Sequence, residues 1–135
     1  MELEPYIFFY GRCEEALAFY KRAVGGDYEV MRNADSPATA EPVPEERKQK
    51  VMHATFRGAG FRFMASDGHA DKAIDPEAGN ISLSLSTEDA DEGARVFKNL
   101  AADGAVRVPL GEAFWGGKFG MVTDKFGIDW MVTTS

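Results

Sequence analysis

The stretch that decides the fold is WGGKFGMVTDKFGIDWMV, residues 115–132. Residues 119–123 have the alternation of a strand, and a second apolar run follows the turn from Ile128. The turn itself is Asp-Lys-Phe-Gly, residues 124–127, in which Asp124 can bond to its own turn backbone and Gly127 can adopt a positive φ. The pattern therefore predicts an antiparallel hairpin that closes the fold.

The rest of the chain carries the same kind of signals. Apolar residues at helical spacing predict one helix from Cys13, ending at Gly25-Gly26, and a second that opens at Glu88-Asp89 with Thr87 as its N-cap. Strands are predicted at Pro5–Tyr10, Tyr28–Met31, Val51–Arg57, Phe61–Ser66, Ile81–Leu85 and Val106–Leu110, and a long mobile loop at Asn33–Gln49.

The predicted elements repeat. Strand, acid-capped helix, glycine stop, strand, loop and hairpin occur twice, although sequence identity between the two halves is low. We therefore expect an α+β fold made of two βαβββ modules, module 1 at about 1–74 and module 2 at about 75–135, within one domain.

Composition limits the partners. A formal net charge of −7 argues against nucleic-acid backbones and anionic membrane surfaces, and favours a neutral or cationic small ligand. The single cysteine, Cys13, excludes an intramolecular disulfide, and the first residues lack the features of a signal peptide. No apolar run approaches the roughly 20 residues of a membrane span. These observations predict a cytoplasmic protein.

Several motifs together resemble a known family. They are Pro-Tyr-Ile-Phe-Phe-Tyr-Gly (5–11), Glu-Glu-Ala-Leu-Ala-Phe-Tyr-Lys (14–21), Val-Met-His-Ala (51–54), Phe-Trp-Gly (114–116) and Asp-Lys-Phe-Gly-Ile-Asp-Trp (124–130). They resemble the PhnB-like group of the vicinal oxygen chelate superfamily, which includes glyoxalase I, extradiol dioxygenases and bleomycin-resistance proteins. The resemblance covers nearly the whole chain.

The resemblance implies an architecture and a set of metal positions. Its two modules form an open, cup-like mixed sheet with the helices packed outside, usually in a homodimer, and the site lies inside the cup. Metal-using members carry four ligands, which correspond here to Pro5, Met64, Asn80 and Met131. Because proline has no donor and thioethers prefer soft metals, these residues do not suit a hard divalent ion. We therefore expect no metal and no other cofactor.

Strand alternation sorts residues into two predicted sets. Those expected to face the helices include Ile81, Leu83, Leu85, Ile128, Trp130 and Val132. Those expected to line the cup are Ile7, Phe9, Arg62, Met64, Asn80, Ser82, Ser84, Asp129 and Met131. Such a mixed lining is typical of a small amphipathic ligand site. The alternative is that the polar members are only solvated on an open sheet face.

Four further residues are candidates for chemistry. His53, in mid-strand, is the candidate base, against a purely structural histidine. Trp115, beside Gly116-Gly117, is a candidate lid that covers a planar ligand, or else packs at an interface or closes the core. His69 is interpreted as a solvated loop residue and Cys13 as an inert thiol.

The prediction for function is binding or sequestration of a small organic molecule without a metal, as bleomycin-resistance proteins use this fold. The alternative is an enzyme: a metal-dependent lyase or dioxygenase, with a relocated metal on His53, Asp67 and Asp129 also conceivable, or a metal-free catalyst using His53. A third alternative is an interaction module whose cup is plugged by its own side chains. Whether modules pair within one chain or between chains stays open.

Overall fold

Each half of the chain folds as a four-stranded mixed sheet with one helix against it. The computed structural model describes residues 1–35, 42–75, 77 and 79–135. Two units are present, Met1–Ala73 and Ile74–Ser135, called unit 1 and unit 2 below. Within the described residues, no helix is both long and apolar enough to cross a bilayer.

The described part of unit 1 contains four strands, one α-helix and two short 3₁₀ turns. Its elements are β1 (Tyr6–Phe8), α1 (Cys13–Val24), β2 (Asp27–Arg32), the 3₁₀ turns Asn33–Asp35 and Glu45–Arg47, β3 (Val51–Gly58) and β4 (Phe61–Ser66). The strand order is β1-β4-β3-β2, with β1 parallel to β4 and the other neighbours antiparallel.

Unit 2 repeats this topology. Its elements are β5 (Ser82–Thr87), α2 (Ala90–Ala101), β6 (Ala105–Glu112), β7 (Lys118–Thr123) and β8 (Asp129–Thr134). The strand order is β5-β8-β7-β6, again with the first strand parallel to the last. The prediction of an α+β fold with two similar βαβββ modules is confirmed.

Aromatic side chains fill the space between α1 and its sheet. Tyr20, fully buried on α1, lies 6.0 Å from the Phe9 ring and 6.1 Å from the Phe63 ring. Phe56 of β3 stacks on Phe63 of β4, with 5.1 Å between the ring centroids. Because rings of this size bury a large apolar area, they form the main hydrophobic core of unit 1.

Glycines bring α2 close to its sheet. A Cβ atom on Gly93 of α2 would lie 2.4 Å from Thr134 Cγ2, and one on Gly120 of β7 would lie 2.7 Å from the Phe97 ring of α2. The helix of unit 2 therefore fits against β7 and β8 only because these positions lack side chains. The same contacts show that Gly120 and Thr134 lie on the helix-facing side of the sheet.

The turn and cap residues of unit 2 were only partly predicted. In the β7–β8 turn, Asp124 accepts hydrogen bonds from the amides of Phe126 and Ile128, and Gly127 has a φ of +85°, as predicted. The prediction that Thr87 caps α2 is wrong. Thr87 is the last residue of β5, and Asp89 is the N-cap, its side chain accepting from the amides of residues 91 and 92.

Two predicted segments also differ from the structure. The predicted loop Asn33–Gln49 contains the two 3₁₀ turns, and its residues 36–41 lie outside the described part of the chain. The predicted strand at Ile81 begins one residue later, and Ile81 is 78% exposed instead of facing α2. An edge residue before the first ladder pair has no strand neighbour to fix its direction.

Candidate functional site

In each unit, one face of the sheet packs against the helix and the other, called its open face, does not. On the open face of unit 1 the strand register brings Tyr6, Met64 and Thr55 side by side, with His53 and Met31 paired on the neighbouring strands. Tyr6 is exposed and its ring lies 5.1 Å from that of Phe8. This face therefore combines aromatic rings, thioethers and one imidazole.

His53 makes one side-chain contact that bears on catalysis. Its Nδ1 lies 3.4 Å from the hydroxyl oxygen of Tyr6, and the two ring centroids are 5.7 Å apart. A hydrogen bond of this length is weak. The structure thus places His53 on the open face, while its role as a base stays a prediction. His69 is exposed, as expected.

Three other predicted site residues of unit 1 have different surroundings. The prediction that Phe9 lines the site is wrong, because its side chain is 1% exposed and packs on Tyr20 of α1. Arg62 and Met64 do lie on the open face. However, Arg62 hydrogen-bonds the Glu4 carboxylate, and this bond raises the pKa of the guanidinium. Arg62 is therefore already paired with an anion from its own chain.

The open face of unit 2 carries small polar side chains. Ser82, Ser84 and Ser86 of β5 lie beside Asp129, Met131 and Thr133 of β8, and these in turn lie beside Thr123, Met121 and Phe119 of β7. Three predicted site residues, Ser82, Asp129 and Met131, therefore share one surface. Their helix-facing neighbours, Trp130 and Val132, are buried as predicted.

A pocket opens at the Asp129 end of this face, and we call it the Asp129 pocket. Its volume is about 140 Å³. Nine residues line it: Glu77, Gly79, Ser82, Arg107, Met121, Val122, Thr123, Asp129 and Trp130. A dry cavity of roughly 150 Å³ holds a benzene-sized molecule, so this volume suits a small ligand or one group of a larger ligand.

A chain of hydrogen bonds fixes the wall of the Asp129 pocket. The Nε of Arg107 donates to the Thr123 hydroxyl at 3.0 Å, and that hydroxyl lies 2.6 Å from Asp129 Oδ1. The terminal nitrogen of Arg107 donates to the Glu77 carboxylate at 2.7 Å. Arg107 projects over Thr123 because the β6–β7 register shifts between Val106 and Val108, which leaves residue 107 without a ladder partner.

Gly79 leaves room beside the other oxygen of the same carboxylate. A Cβ atom on Gly79 would lie 3.1 Å from Asp129 Oδ2. Among the described residues, the hydrogen bond from Thr123 to Oδ1 is the only one that the Asp129 side chain makes. Oδ2 is therefore an acceptor on the pocket side, next to a residue with no side chain.

Sequence reasoning did not identify Glu77, Gly79, Arg107 or Thr123. Arg107 interrupts an apolar strand, Val-Arg-Val at 106–108, which is the one signal that the sequence gives for it. Thr123 was assigned only to the hairpin strand, and residues 77 and 79 lie in a stretch without periodicity. These residues lie close together because of the bulge in β6, and the bulge leaves no pattern in the sequence.

Two predicted binding residues lie outside the Asp129 pocket. Asn80 is exposed and precedes β5, and it is not among the pocket's lining residues. Trp115 is 57% exposed in the turn between β6 and β7, where its ring lies 4.8 Å from Phe114 and 5.7 Å from Phe119. The predicted lid role of Trp115 is untested by this geometry.

The residues at the four metal positions of the resemblance do not fit a divalent metal. The Pro5 carbonyl accepts the Met64 amide, and Met131 presents a thioether beside Met121. In the described part of the chain, no group of three His, Cys, Asp or Glu side chains is placed to hold a metal ion. For the conceivable relocated site, Asp67 has both carboxylate oxygens occupied by the amides of Cys13 and Val51.

Cys13 is buried at the start of α1. Burial, and next the Asp67 carboxylate, raise the pKa of its thiol well above the ordinary value. The raised pKa keeps the thiol protonated at neutral pH. Because the thiolate is the reactive form, this thiol is poorly nucleophilic. The surroundings thus favour the prediction of an inert cysteine.

Comparison with known proteins identifies relatives over the full length of the chain. The family model described as 3-demethylubiquinone-9 3-methyltransferase matches residues 1–133. Protein YjdN of Escherichia coli strain K12 is 35% identical over 142 residues, which cover 98% of this chain and 94% of YjdN.

Solved structures are similar over the same extent. Protein PA1353 from Pseudomonas aeruginosa has a TM-score of 0.83 and 38% identity, covering 100% of this chain and 98% of that one. The structure described as a putative 3-demethylubiquinone-9 3-methyltransferase, PhnB protein, from Bacillus cereus has a TM-score of 0.76 and 29% identity, with both chains fully covered.

A more distant structure shares the fold alone. It is a member of the glyoxalase/bleomycin resistance protein/dioxygenase superfamily from Sphaerobacter thermophilus, with 19% identity and a TM-score of 0.55 over 100% of this chain and 98% of that one. This chain belongs to the family described as 3-demethylubiquinone-9 3-methyltransferase, a PhnB-like group with the fold of the vicinal oxygen chelate superfamily.

Proposed function

We propose that this protein binds a small organic molecule in the Asp129 pocket without using a metal. The observation that carries the proposal is the Asp129 carboxylate, which Thr123 holds through Oδ1 while Oδ2 lies beside Gly79 in the pocket. A pocket with a few fixed polar groups on a partly apolar wall is the usual form of a small-molecule site. Met121 and Trp130 supply that apolar wall.

The donor chemistry of the chain supports binding over metal-assisted catalysis. The superfamily's enzymes place a metal with open positions near two substrate oxygens, whereas the residues that the resemblance places at the corresponding positions here are Pro5, Met64, Asn80 and Met131. A thioether is a soft ligand and suits neither Mg²⁺ nor Ca²⁺. No step of the proposed function therefore runs through a metal.

Nor does the Asp129 pocket suit the reaction named in the family description. A methyl donor of nucleoside size fills a pocket of roughly 300 Å³ or more. The Asp129 pocket has about 140 Å³. A molecule of the size of one ring fits this volume, so we propose recognition of a small ligand or of one end of a larger one.

The test is a fragment screen by two-dimensional amide NMR. We expect at least one benzene-sized fragment to shift the amides of Gly79, Ser82, Thr123 and Asp129 in wild-type protein. Gly79→Ala places a methyl group 3.1 Å from Asp129 Oδ2 and should weaken that fragment about tenfold or more. The control is Gly111→Ala in β6, whose Cβ would meet Pro109 O at an ordinary 3.8 Å.

Two results of this screen would contradict the proposal. One is that no fragment shifts the pocket amides. The other is that Gly79→Ala and Gly111→Ala bind the fragments equally well, since the ligand then occupies a place other than the room beside Gly79.

A second candidate function is metal-free catalysis with His53 as the base. The contact between His53 Nδ1 and the Tyr6 hydroxyl favours it, because a partner on Nδ1 leaves Nε2 for a ligand. An activity that survives chelation and disappears in His53→Ala would support this candidate. Loss of that activity on chelation would support a metal enzyme instead.

Two proposals concern the protein as a whole. We propose a homodimer, as is usual for the superfamily, and light scattering of the purified protein would measure the mass against the 14.8 kDa of one chain. We also propose a cytoplasmic location. Fractionation of cells that produce the protein would test it.

A further inference from the structure

We infer that the Asp129 pocket is selective for an organic cation, a ligand whose head group is an ammonium or amidinium. This inference rests on the proposed function, since it names the class of ligand for the same pocket. It follows from the direction of the hydrogen bonds along Arg107, Thr123 and Asp129, from the charges around the pocket and from its volume.

The direction of these hydrogen bonds is fixed by chemistry. A guanidinium has only donors, so Arg107 Nε donates and the Thr123 oxygen accepts at 3.0 Å. The single proton of the Thr123 hydroxyl is then directed to Asp129 Oδ1 at 2.6 Å. Asp129 therefore accepts a hydrogen bond at Oδ1.

The other oxygen of the Asp129 carboxylate, Oδ2, can accept a hydrogen bond from a ligand. Oδ2 lies on the pocket side beside Gly79, and no described residue donates to it. An ionised carboxylate can only accept hydrogen bonds, so the ligand atom that meets it carries a proton. Ser82 lies directly across from Asp129 in the β5–β8 register and adds a hydroxyl on the same side.

The formal charges of the pocket favour a positive ligand. Among the described residues that line the pocket, Arg107 is the only basic one, and its charge is paired with Glu77 at 2.7 Å. The carboxylate of Asp129 remains as the charge without a partner of opposite sign. The lining carries two carboxylates and one guanidinium, a net formal charge of −1, so an anion is disfavoured, whereas a cation would form a charge-assisted hydrogen bond with Asp129.

The volume limits the size of the cationic group. About 140 Å³ accommodates a single ring or a short alkyl chain, with Met121 on the apolar side. Met131, the cross-strand neighbour of Met121, extends the thioether surface beyond the pocket. The structure thus assigns the pocket to a flat or short cationic group that lies against polarisable sulfur.

Three probes of nearly equal shape test the inference: benzamidine, benzamide and benzoate. They are a cation, a neutral amide and an anion. Each is titrated into wild-type protein at pH 7, and the shifts of the Gly79, Ser82 and Thr123 amides are followed by NMR. We expect benzamidine to bind at least about tenfold more tightly than benzamide, and benzoate to bind most weakly.

Two substitutions then locate the origin of the preference. Asp129→Asn keeps the size of the side chain and should reduce the ratio of benzamidine to benzamide affinity to near one. Asp103→Asn makes the same change of charge in unit 2 at an exposed residue with a positive φ that asparagine tolerates. It should leave the ratio unchanged. A dispersed wild-type-like spectrum shows that each variant is folded.

The outcomes separate this inference from the proposed function. Equal affinities for benzamidine and benzamide at the pocket amides would overturn the cation preference and leave small-molecule binding in place. A preference that persists in Asp129→Asn would overturn it as well. If none of the three probes shifts the pocket amides, both the inference and the proposed function fail.

Discussion

The two units share one topology but differ in the side chains that pack against the helix and in those on the open face. In unit 1 the helix packs through rings, and the open face carries Tyr6, Phe8 and the paired Arg62. In unit 2 the helix packs through Val96, Phe97 and Leu100, with glycine at its closest contacts to the sheet, and the open face carries serine, threonine and Asp129. The same strand order therefore supports an open face with aromatic rings in one unit and an open face with small polar side chains in the other.

We place the candidate site in unit 2 because its pocket contains a fixed carboxylate, although a larger cavity of about 400 Å³ lies beside Tyr6 and Phe8 in unit 1. A ligand needs both a fixed polar group and an unfilled volume beside it. Arg62 in unit 1 has its charge neutralised by Glu4, whereas Asp129 in unit 2 has one oxygen directed into the Asp129 pocket. The function then depends on side chains placed on the fold rather than on the fold itself.

The largest expected effect comes from removing a ring from the core of unit 1. Phe56 is completely buried and stacks on Phe63, so Phe56→Ala should lower the free energy of unfolding by about 3–5 kcal/mol. The measurement is urea unfolding followed by circular dichroism. Phe114→Ala in unit 2, at a residue 98% exposed, is the control and should change the free energy by less than about 0.5 kcal/mol.

Tryptophan fluorescence adds a second readout to that experiment. Both tryptophans, Trp115 and Trp130, belong to unit 2. If the chain behaves as the single domain predicted from its sequence, fluorescence and circular dichroism of Phe56→Ala change at the same urea concentration. Two separate transitions would contradict that prediction.

The next largest loss of stability is expected on substitution of two buried aspartates, one in each unit. Asp67 in unit 1 accepts the amides of Cys13 and Val51, which lie far apart in sequence, whereas Asp124 in unit 2 accepts groups within its own turn and the Trp130 indole. Each substitution to alanine should cost about 2–3 kcal/mol, because buried donors lose a charged partner. Chemical denaturation of both variants measures these losses.

Amide hydrogen exchange shows where each loss occurs. Asp67→Ala should speed exchange at Cys13 and Val51, and Asp124→Ala at Phe126 and Ile128. Glu112→Ala, an exposed acidic residue of β6, is the control for removal of a carboxylate. Losses below about 0.5 kcal/mol in both aspartate variants would contradict the roles assigned here.

The third effect depends on pH and belongs to unit 1, which holds the only cysteine. Burial raises the pKa of Cys13, so the folded chain keeps the proton at pH values where the unfolded chain loses it. The resulting stability is fully present below the unfolded pKa of about 8.5 and declines as pH rises above it. Well above that pKa, the free energy of unfolding falls by about 1.4 kcal/mol for each pH unit.

Cys13→Ala isolates this contribution. Unfolding free energies of wild type and variant are measured at pH 8, 9 and 10, and the wild type should lose more stability over this range than the variant. Parallel pH dependence in the two proteins would show that the thiol is not protected in the folded chain.

The smallest expected effect is that of His53→Gln. The imidazole is half-buried on the open face and makes a long contact with Tyr6, so the substitution should change stability by no more than about 1 kcal/mol. Binding at the Asp129 pocket should stay unchanged. Weaker binding of fragments to this variant would show that His53 contributes to the site.

The sequence predicted those features that local chemistry determines. The helix at Cys13–Val24 follows from apolar spacing and the glycine pair after it, and the β7–β8 turn follows from Asp124 and Gly127. Both depend on residues within one turn of the element. The helix-facing positions of Trp130 and Val132 follow from simple alternation.

Features that depend on long-range register were missed. The predicted strand Pro5–Tyr10 has aromatic residues at both odd and even positions, so alternation alone does not show which side Phe9 takes, and contact with Tyr20 decides it. The Asp129 pocket needs the bulge that places Arg107 over Thr123. It also needs Gly79 in a segment without periodicity, where no local rule gives a position.

The measurement that tests the central claim most directly is the metal content of the purified protein, together with its melting temperature in a series of divalent metals, with and without chelator. A ligand at a hundredfold excess over its dissociation constant stabilises the folded state by about 2.7 kcal/mol, so a true metal site would raise the melting temperature. We predict no stoichiometric metal and no shift. One metal per chain with a raised melting temperature would contradict the metal-free account.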